Sequence, residues 1–411
     1  MSRRPSKAAL GWTVFGVAFL LRAAWVLTRW STDGPEPEFS DGQLHLDLAT
    51  NLIERGEFVS DDGHYAARMP LYPLFLASCA WLGPAGVLVA RLAQAAIGAL
   101  TAWVAFVFCD AALGRRPAWV AGASVCFDPY AIFFANLLLT EVLFTLIGVG
   151  LVACAWHVAD GGDRVRRIAV GGVAALGAAA VMTRPSAVGW VLLLWLVLGW
   201  MDRNRRRAAW RSAIYAVTLA AALLPWGLRN RAALGSFAWL STNGGVTLYD
   251  AQGPQADGSS NQAFLDEMPE LGGLSEVEQD RRLRDLALAE MKRDGVRVLQ
   301  LACVKFLRTW SPVPNVADYR GGATGLASAV FMALVVIAAS IGIVRTRKRT
   351  RLHALLWLPI VYFTLLHCIY IGSLRYRVPL MPFLEITAAA AFVASAGSGR
   401  VESENQVLAE R

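Results

Sequence analysis

Residues 10–30 read LGWTVFGVAFLLRAAWVLTRW and residues 31–56 read STDGPEPEFSDGQLHLDLATNLIERG. The first stretch carries only Arg22 before its last turn and is long enough to cross a bilayer, which takes about 20 apolar residues. Arg3, Arg4 and Lys7 precede it, but the run is too long for a signal-peptide core and no small-residue cleavage site follows, so a retained first helix is expected. The second stretch turns abruptly polar. Ser40 with Gln43 reads as a capping box, Leu44, Leu48 and Leu52 place an apolar stripe on one helix face, and Gly56 supplies a stop. A span followed by a polar loop that carries its own surface helix predicts an all-α polytopic membrane protein.

Composition agrees. Of 411 residues 56% are hydrophobic and 17% charged, against roughly 25% charged in soluble chains. Mean hydropathy is +0.44, which excludes an ordinary soluble enzyme. Six cysteines (Cys79, Cys109, Cys126, Cys154, Cys303, Cys368) stand singly in apolar stretches, without the spacing of a zinc site or a disulfide framework.

Apolar windows predict about ten transmembrane helices, near 10–30, 85–109, 117–135, 138–158, 168–184, 186–201, 211–228, 323–344, 352–371 and 378–396. The net charge of +8 is unevenly placed along them. Loops 115–116, 160–167, 202–211 and 345–351 hold 15 basic residues and three acids, and all fall on one side of a ten-helix count. Loop 33–68 holds nine acids and two basic residues, and 229–320 is close to balanced. By the positive-inside rule the basic loops and both termini are cytoplasmic. The excess charge is therefore a topology signal, and nucleic-acid binding is the weaker explanation.

The expected organisation is an N-terminal transmembrane module, 1–228, whose first outer loop, 31–83, carries the surface helix. An outer soluble segment, 229–322, follows, then C-terminal transmembrane helices, 323–396, and a cytoplasmic tail, 397–411. In the first loop RMPLYPLFL (68–76) is broken by two prolines and reads as a re-entrant or interfacial segment. In the outer segment, turns are expected at 243–245, 253–254 and 258–260. A helical pattern begins at Ser275 and runs to the interfacial anchor Trp310.

Several residues are candidates for chemistry. Asp41 opens the surface helix, with His45 one turn on along the same face; by local pattern alone, a carboxylate there serves the helix dipole equally well or better. Glu141, in LLLTEVLF (137–144), sits at the outer end of a span, where a carboxylate is costly and a functional role is the default. Asp128, in FDPY (127–130), has a structural use at a helix break. Arg184, Arg229, Arg231, Arg375 and Arg377 lie at outer ends of spans, against the positive-inside trend. Such arginines commonly snorkel to headgroups, and a cluster of them also suits a phosphate. Arg22 and Arg91 lie inside or near spans, where pairing with acids in the bundle is one option that the sequence leaves open. No phosphate-binding loop, His-Glu-x-x-His or Gly-x-Ser-x-Gly is present.

Taken in order, these pieces resemble the polyprenyl-phosphate-dependent membrane glycosyltransferases of the GT-C fold, in the branch similar to protein mannosyltransferases (glycosyltransferase family 39) and aminoarabinose transferases. The matching residues are Asp41 with its helix, 69–76, Asp128-Pro129, 139–144, Thr183-Arg184-Pro185, 225–230, 287–310 and Arg375-Tyr376-Arg377-Val378-Pro379. The resemblance implies Asp41 as the catalytic base and Glu141 as a second acid. His45, Arg184, Arg229, Arg375, Tyr376 and Arg377 then become expected substrate-binding residues. His45 stands where relatives often carry Tyr, and Gly42 where protein mannosyltransferases carry Glu.

The activity so implied is inverting transfer of a sugar from a polyprenyl phosphate carrier to an acceptor lipid, glycan or protein. It would take place at the outer face of a cytoplasmic membrane, bacterial by the Ala, Arg and Trp richness of the chain. No nucleotide cofactor is expected, because the donor is already activated; a divalent metal is left open, and no metal ligands are assigned. A secondary transporter or lipid flippase would share the helix count but predicts acids at mid-membrane on broken helices. A polysaccharide polymerase would share the large outer loop.

Overall fold

The computed structural model describes residues 7–316 and 320–394; Arg3, Arg4 and the expected tail 397–411 lie outside the described residues. Among these residues every regular element is helical. The first half runs α1 (Lys7–Asp33), α2 (Ser40–Glu54), α3 (Leu71–Ala80), α4 (Pro84–Leu113), α5 (Arg115–Phe127), α6 (Pro129–Phe134), α7 (Glu141–Asp160), α8 (Asp163–Thr183), α9 (Ala187–Met201) and α10 (Arg205–Leu234). The second half runs α11 (Gly244–Gln252), α12 (Phe264–Glu267), α13 (Glu276–Arg293), α14 (Gly295–Thr309), α15 (Gly322–Thr346), α16 (Thr350–Ile369) and α17 (Met381–Ala389).

Among the described residues seven helices are long and apolar enough to cross a membrane: Gly11–Asp33, Pro84–Leu113, Glu141–Asp160, Asp163–Thr183, Arg205–Leu234, Gly322–Thr346 and Thr350–Ile369. The chain is a multi-pass membrane protein. The other three expected spans are present as shorter or broken helices, for local reasons. The window 117–135 breaks at Asp128-Pro129, where the proline has no N–H to continue the ladder. The window 186–201 forms only the 15 residues of α9. In 378–396, Pro379 and Pro382 split the chain into a 3-10 helix, Leu374–Leu380, the nine-residue α17, and a 3-10 turn, Ala390–Phe392. All nine residues of α17 are buried, so this element belongs to the protein interior.

The break after α5 explains a buried arginine. Tyr130 N–H bonds the side chain of Asp128 instead of the preceding turn, and Pro129 offers nothing, so the last carbonyls of α5 lack helical donors. Arg22 of α1 supplies them, donating to Val125 at 2.8 Å and Cys126 at 3.1 Å. Gly98 leaves the room, since a Cβ there would stand 2.8 Å from Arg22 Nε. Arg91 likewise binds the carbonyls of Gly34, Pro35 and Glu36, fixing the extended approach to α2. Both arginines thus answer backbone oxygens, a choice that the sequence leaves open.

The helical surface segments follow their sequence signals in part. Ser275 caps α13 in a full capping box with Glu278. At α2 the box does not form: Phe39 is the N-cap, no side chain caps it, and Gln43 bonds Asp47 instead. The stop at Gly56 is real, with φ at +69°. The interrupted segment 68–76 is helical from Leu71, in the ten-residue α3 that runs on to Ala80, and the turn expected at Asn243-Gly-Gly is instead the start of α11.

The bundle core is built from small residues where helices cross. A Cβ on Gly342 of α15 would lie 2.1 Å from the carbonyl oxygen of Thr387 in α17. Gly342→Ala should therefore lower stability by about 1–3 kcal/mol, because neither backbone can yield without moving a helix. Thermal unfolding of the detergent-solubilised protein checks this; an unchanged midpoint would show the crossing to be loose.

Candidate functional site

Helix α2 lies against the segment that leads into α7, and Gly42 permits the approach. A Cβ there would sit 3.1 Å from Pro37 Cβ and 3.4 Å from the carbonyl oxygen of Leu138. A large side chain at 42 would push α2 away from α7, which gives a local physical reason for the glycine. The first turn of α2 thereby brings Asp41 near Glu141, the first residue of α7.

The two acids are joined by arginines. Asp41 Oδ1 accepts from Arg68 Nη2 at 2.7 Å, and Oδ2 accepts from Arg375 Nη1 at 2.5 Å. The same guanidinium donates through Nε to Glu141 Oε1. Glu141 Oε1 also accepts from Arg184 Nη2 at 2.6 Å, while Arg184 Nε donates to Thr140 Oγ1 at 2.7 Å and its guanidinium lies over the Phe144 ring. The result is a chain Arg68–Asp41–Arg375–Glu141–Arg184.

Exposure divides this chain in two. The Glu141 side chain is fully buried and its Oε2 has no protein partner, whereas the Asp41 side chain is 35% exposed. The Asp41 end therefore opens to solvent and the Glu141 end is closed.

Electrostatics follow from the geometry. Burial alone would raise the proton affinity of Asp41, but Arg375 and Arg68 outweigh it and hold the carboxyl well below the usual range. Burial works against the charge of Arg375, and Glu141 and Asp41 reverse this, keeping it firmly protonated. His45 is pushed down to about 3, chiefly by burial and then by Arg68, so its imidazole is neutral. It packs edge-on to Tyr72, ring centroids 4.9 Å apart, and its Nδ1 is buried without a partner. Three guanidinium groups thus face two carboxylates, leaving one positive charge in excess.

The remaining expected residues are placed differently. Tyr376 stacks on His367 at 3.9 Å beside Arg375. Arg377 points away, donating to the Ser311 carbonyl at 2.6 Å and lying over Tyr130. Arg229 is not joined to the acids: it donates to the carbonyls of Tyr65 and Phe58 and packs over Phe58 and Trp226. It acts as a strap on the first loop, as does Glu276 of α13, which accepts from Tyr65 N–H at 2.9 Å and Ala66 N–H at 3.0 Å. Arg68 was missed by sequence reasoning. The available signal was its position, one of two basic residues in a loop with nine acids. Among the described residues no group of three or more His, Cys, Asp or Glu is arranged to hold a metal ion.

No protein-family model and no curated protein matches the chain. Among solved structures, the archaeal oligosaccharyltransferase AglB from Archaeoglobus fulgidus, solved with an inhibitory peptide and a dolichol-phosphate, is similar. Its TM-score is 0.55 at 12% identity, over 93% of this chain and 50% of that one. The chain has the GT-C fold. ArnT from Cupriavidus metallidurans also matches: the apo form gives a TM-score of 0.45 at 15% identity, covering 94% of this chain and 78% of its own. The form bound to undecaprenyl phosphate gives 0.47 at 14%, covering 98% and 80%. The chain spans about half the length of AglB, so the GT-C likeness to that protein concerns only part of it.

The neutral state of His45 carries a pH consequence. Its ordinary value is 6.5 and its folded value about 3, so between these the unfolded chain holds a proton that the folded chain does not. The stability it contributes is full above pH 6.5 and is lost as pH falls toward 3. His45→Gln should flatten the fall in melting temperature between pH 7 and pH 5 by about one proton's worth of slope. An unchanged slope would mean that His45 is charged in the folded protein.

Proposed function

We propose that the protein is an inverting glycosyltransferase that moves a sugar from a polyprenyl phosphate to an acceptor hydroxyl or amine. The observation that carries this reading is the excess of guanidinium over carboxylate in a cluster open at one end. Displacement at an anomeric carbon needs a base for the acceptor proton and cations for the departing phosphate. Arg375 and Arg68 meet the second need and Asp41 the first.

In the step, the acceptor oxygen or nitrogen forms a bond to the anomeric carbon while the bond to the phosphate oxygen breaks. The acceptor proton passes to Asp41, and the polyprenyl phosphate leaves with the electron pair, held by guanidinium forks. Asp41 with both oxygens bound to arginine is a weak base. A phosphate that takes up Arg375 and Arg68 shares their charge, and the proton affinity of Asp41 rises as the donor is seated. Glu141, fully buried, keeps Arg375 and Arg184 in place. GT-C architecture supports the lipid-linked donor, since AglB was solved with dolichol-phosphate.

The basic loops support a site on the outer face of a cytoplasmic membrane with both termini cytoplasmic, and the Ala, Arg and Trp richness of the chain supports a bacterial one. The acceptor is a lipid, glycan or protein of the cell envelope.

Asp41→Asn should reduce transfer by about 10²–10⁴-fold while leaving the protein inserted, because the isosteric amide cannot take the proton. Arg375→Ala should raise the donor requirement about 10-fold or more and change the acceptor requirement less. Both are measured in vesicles supplied with a polyprenyl phosphosugar, with envelope glycans compared by mass spectrometry. Wild-type transfer by Asp41→Asn would remove the base, and an unaltered donor dependence in Arg375→Ala would remove the phosphate site.

A further inference from the structure

Helix α14 is charged on the inside and apolar on the outside. Its inward stripe is Arg297, Leu301, Lys305 and Arg308, spaced four, four and three residues apart. Arg297 donates to the carbonyls of Gln252, Gly253, Pro254 and Ala256, between 2.7 and 3.2 Å. Lys305, with no solvent exposure, donates to the carbonyls of Ala251 at 2.8 Å and Ile369 at 2.9 Å, and Arg308 to that of Gly372 at 3.2 Å. The cationic groups are thus directed at backbone oxygens of α11, the end of α16 and the loop before Arg375.

The opposite face has no charge. Val296, Leu299 and Leu307 are 67%, 68% and 69% exposed, and Cys303 and Phe306 lie between them, with Gln300 as the polar member. In water such a helix would show its charges and hide its leucines; this one does the reverse. It also packs on a helix that spans the membrane: α14 lies against α16, whose last turns expose Leu365 and Ile369.

We propose that α14 lies in the bilayer leaflet on the side of the Asp41 cluster, with Val296, Leu299, Cys303, Phe306 and Leu307 against acyl chains. The segment between the seventh and eighth expected spans is therefore not wholly solvated: one of its helices is a monotopic membrane element. Its inner face, through Arg308 and Lys305, holds the loop that ends in Arg375, so the depth of the membrane surface is transmitted to the site by one rigid helix. This inference does not require the sugar-transfer reading and is tested without activity.

The probe is a nitroxide in vesicles of phosphatidylethanolamine and phosphatidylglycerol, with collision rates measured against oxygen, which concentrates in lipid, and a water-soluble nickel chelate. The native Cys303 is exposed and can be labelled in the unsubstituted chain, with the labelled position verified by mass spectrometry. Leu299→Cys and Leu307→Cys extend the readings along the helix, and Arg282→Cys, on the exposed side of α13, provides the aqueous reference, each with Cys303→Ser so that one position carries the label. Oxygen collisions should exceed nickel collisions several-fold at 299, 303 and 307, and the order should reverse at 282. Nickel access at 299, 303 and 307 equal to that at 282 would overturn the proposal. So would protection from both reagents, which would mean that another protein surface or a second copy covers the helix.

Discussion

The site depends on one guanidinium between two carboxylates. Arg375 is the only link in the cluster that touches both Asp41 and Glu141, and it comes from a 3-10 helix separated from them by 334 and 234 residues. It therefore ties a surface helix, the outer end of a span and the C-terminal part of the bundle into one object. Around it the charges are nested: Arg68 completes Asp41 on the solvent side, and Arg184 completes Glu141 on the closed side. Removing a member strands a charge of the opposite sign in a poorly solvated place, where the cost is far larger than the net worth of an exposed pair.

Much of the fold was legible in the sequence because the bilayer imposes a length on apolar runs. The seven long helices satisfy that rule directly. The three remaining windows satisfied it in composition only. In two of them Pro129, Pro379 and Pro382 remove donors, and a window average of hydropathy does not register the loss of a hydrogen bond; the third forms a helix of only 15 residues. Capping shows the same limit on a smaller scale. Ser275 and Ser40 have equivalent neighbours three residues on, yet only Ser275 enters its helix with the extended backbone that a cap requires. At the other site Phe39 occupies that position.

The candidate site was legible as residue types and much less so as partners. Asp41 and Glu141 stand out by where they lie relative to spans, and Arg184 and Arg375 by opposing the charge trend of their side. Nothing in the chain marks which arginine meets which acid, because the meeting is set by helix packing across hundreds of residues. Arg229 shows the consequence: it belonged to the same sequence class as Arg375, but the carbonyls of Phe58 and Tyr65 claim it. Arg22 and Arg91 belong with it. An arginine in a bundle that contains broken helices meets orphaned carbonyls, and these compete with carboxylates for its donors.

The separation of Arg375 from its two acids also sets an order of events during synthesis. At about 5–20 residues per second, the ribosome takes roughly 20–70 seconds to travel from Asp41 to Arg375. Through that interval the N-terminal helices enter the membrane while Asp41 has only Arg68 and Glu141 only Arg184. The translocation machinery must therefore accommodate a carboxylate at the head of α7 well before its second counter-ion exists, and the α2 loop gains its strap from Glu276 before it gains its lock. The candidate site is thus among the last features of the protein to form, although its first residue is among the earliest made.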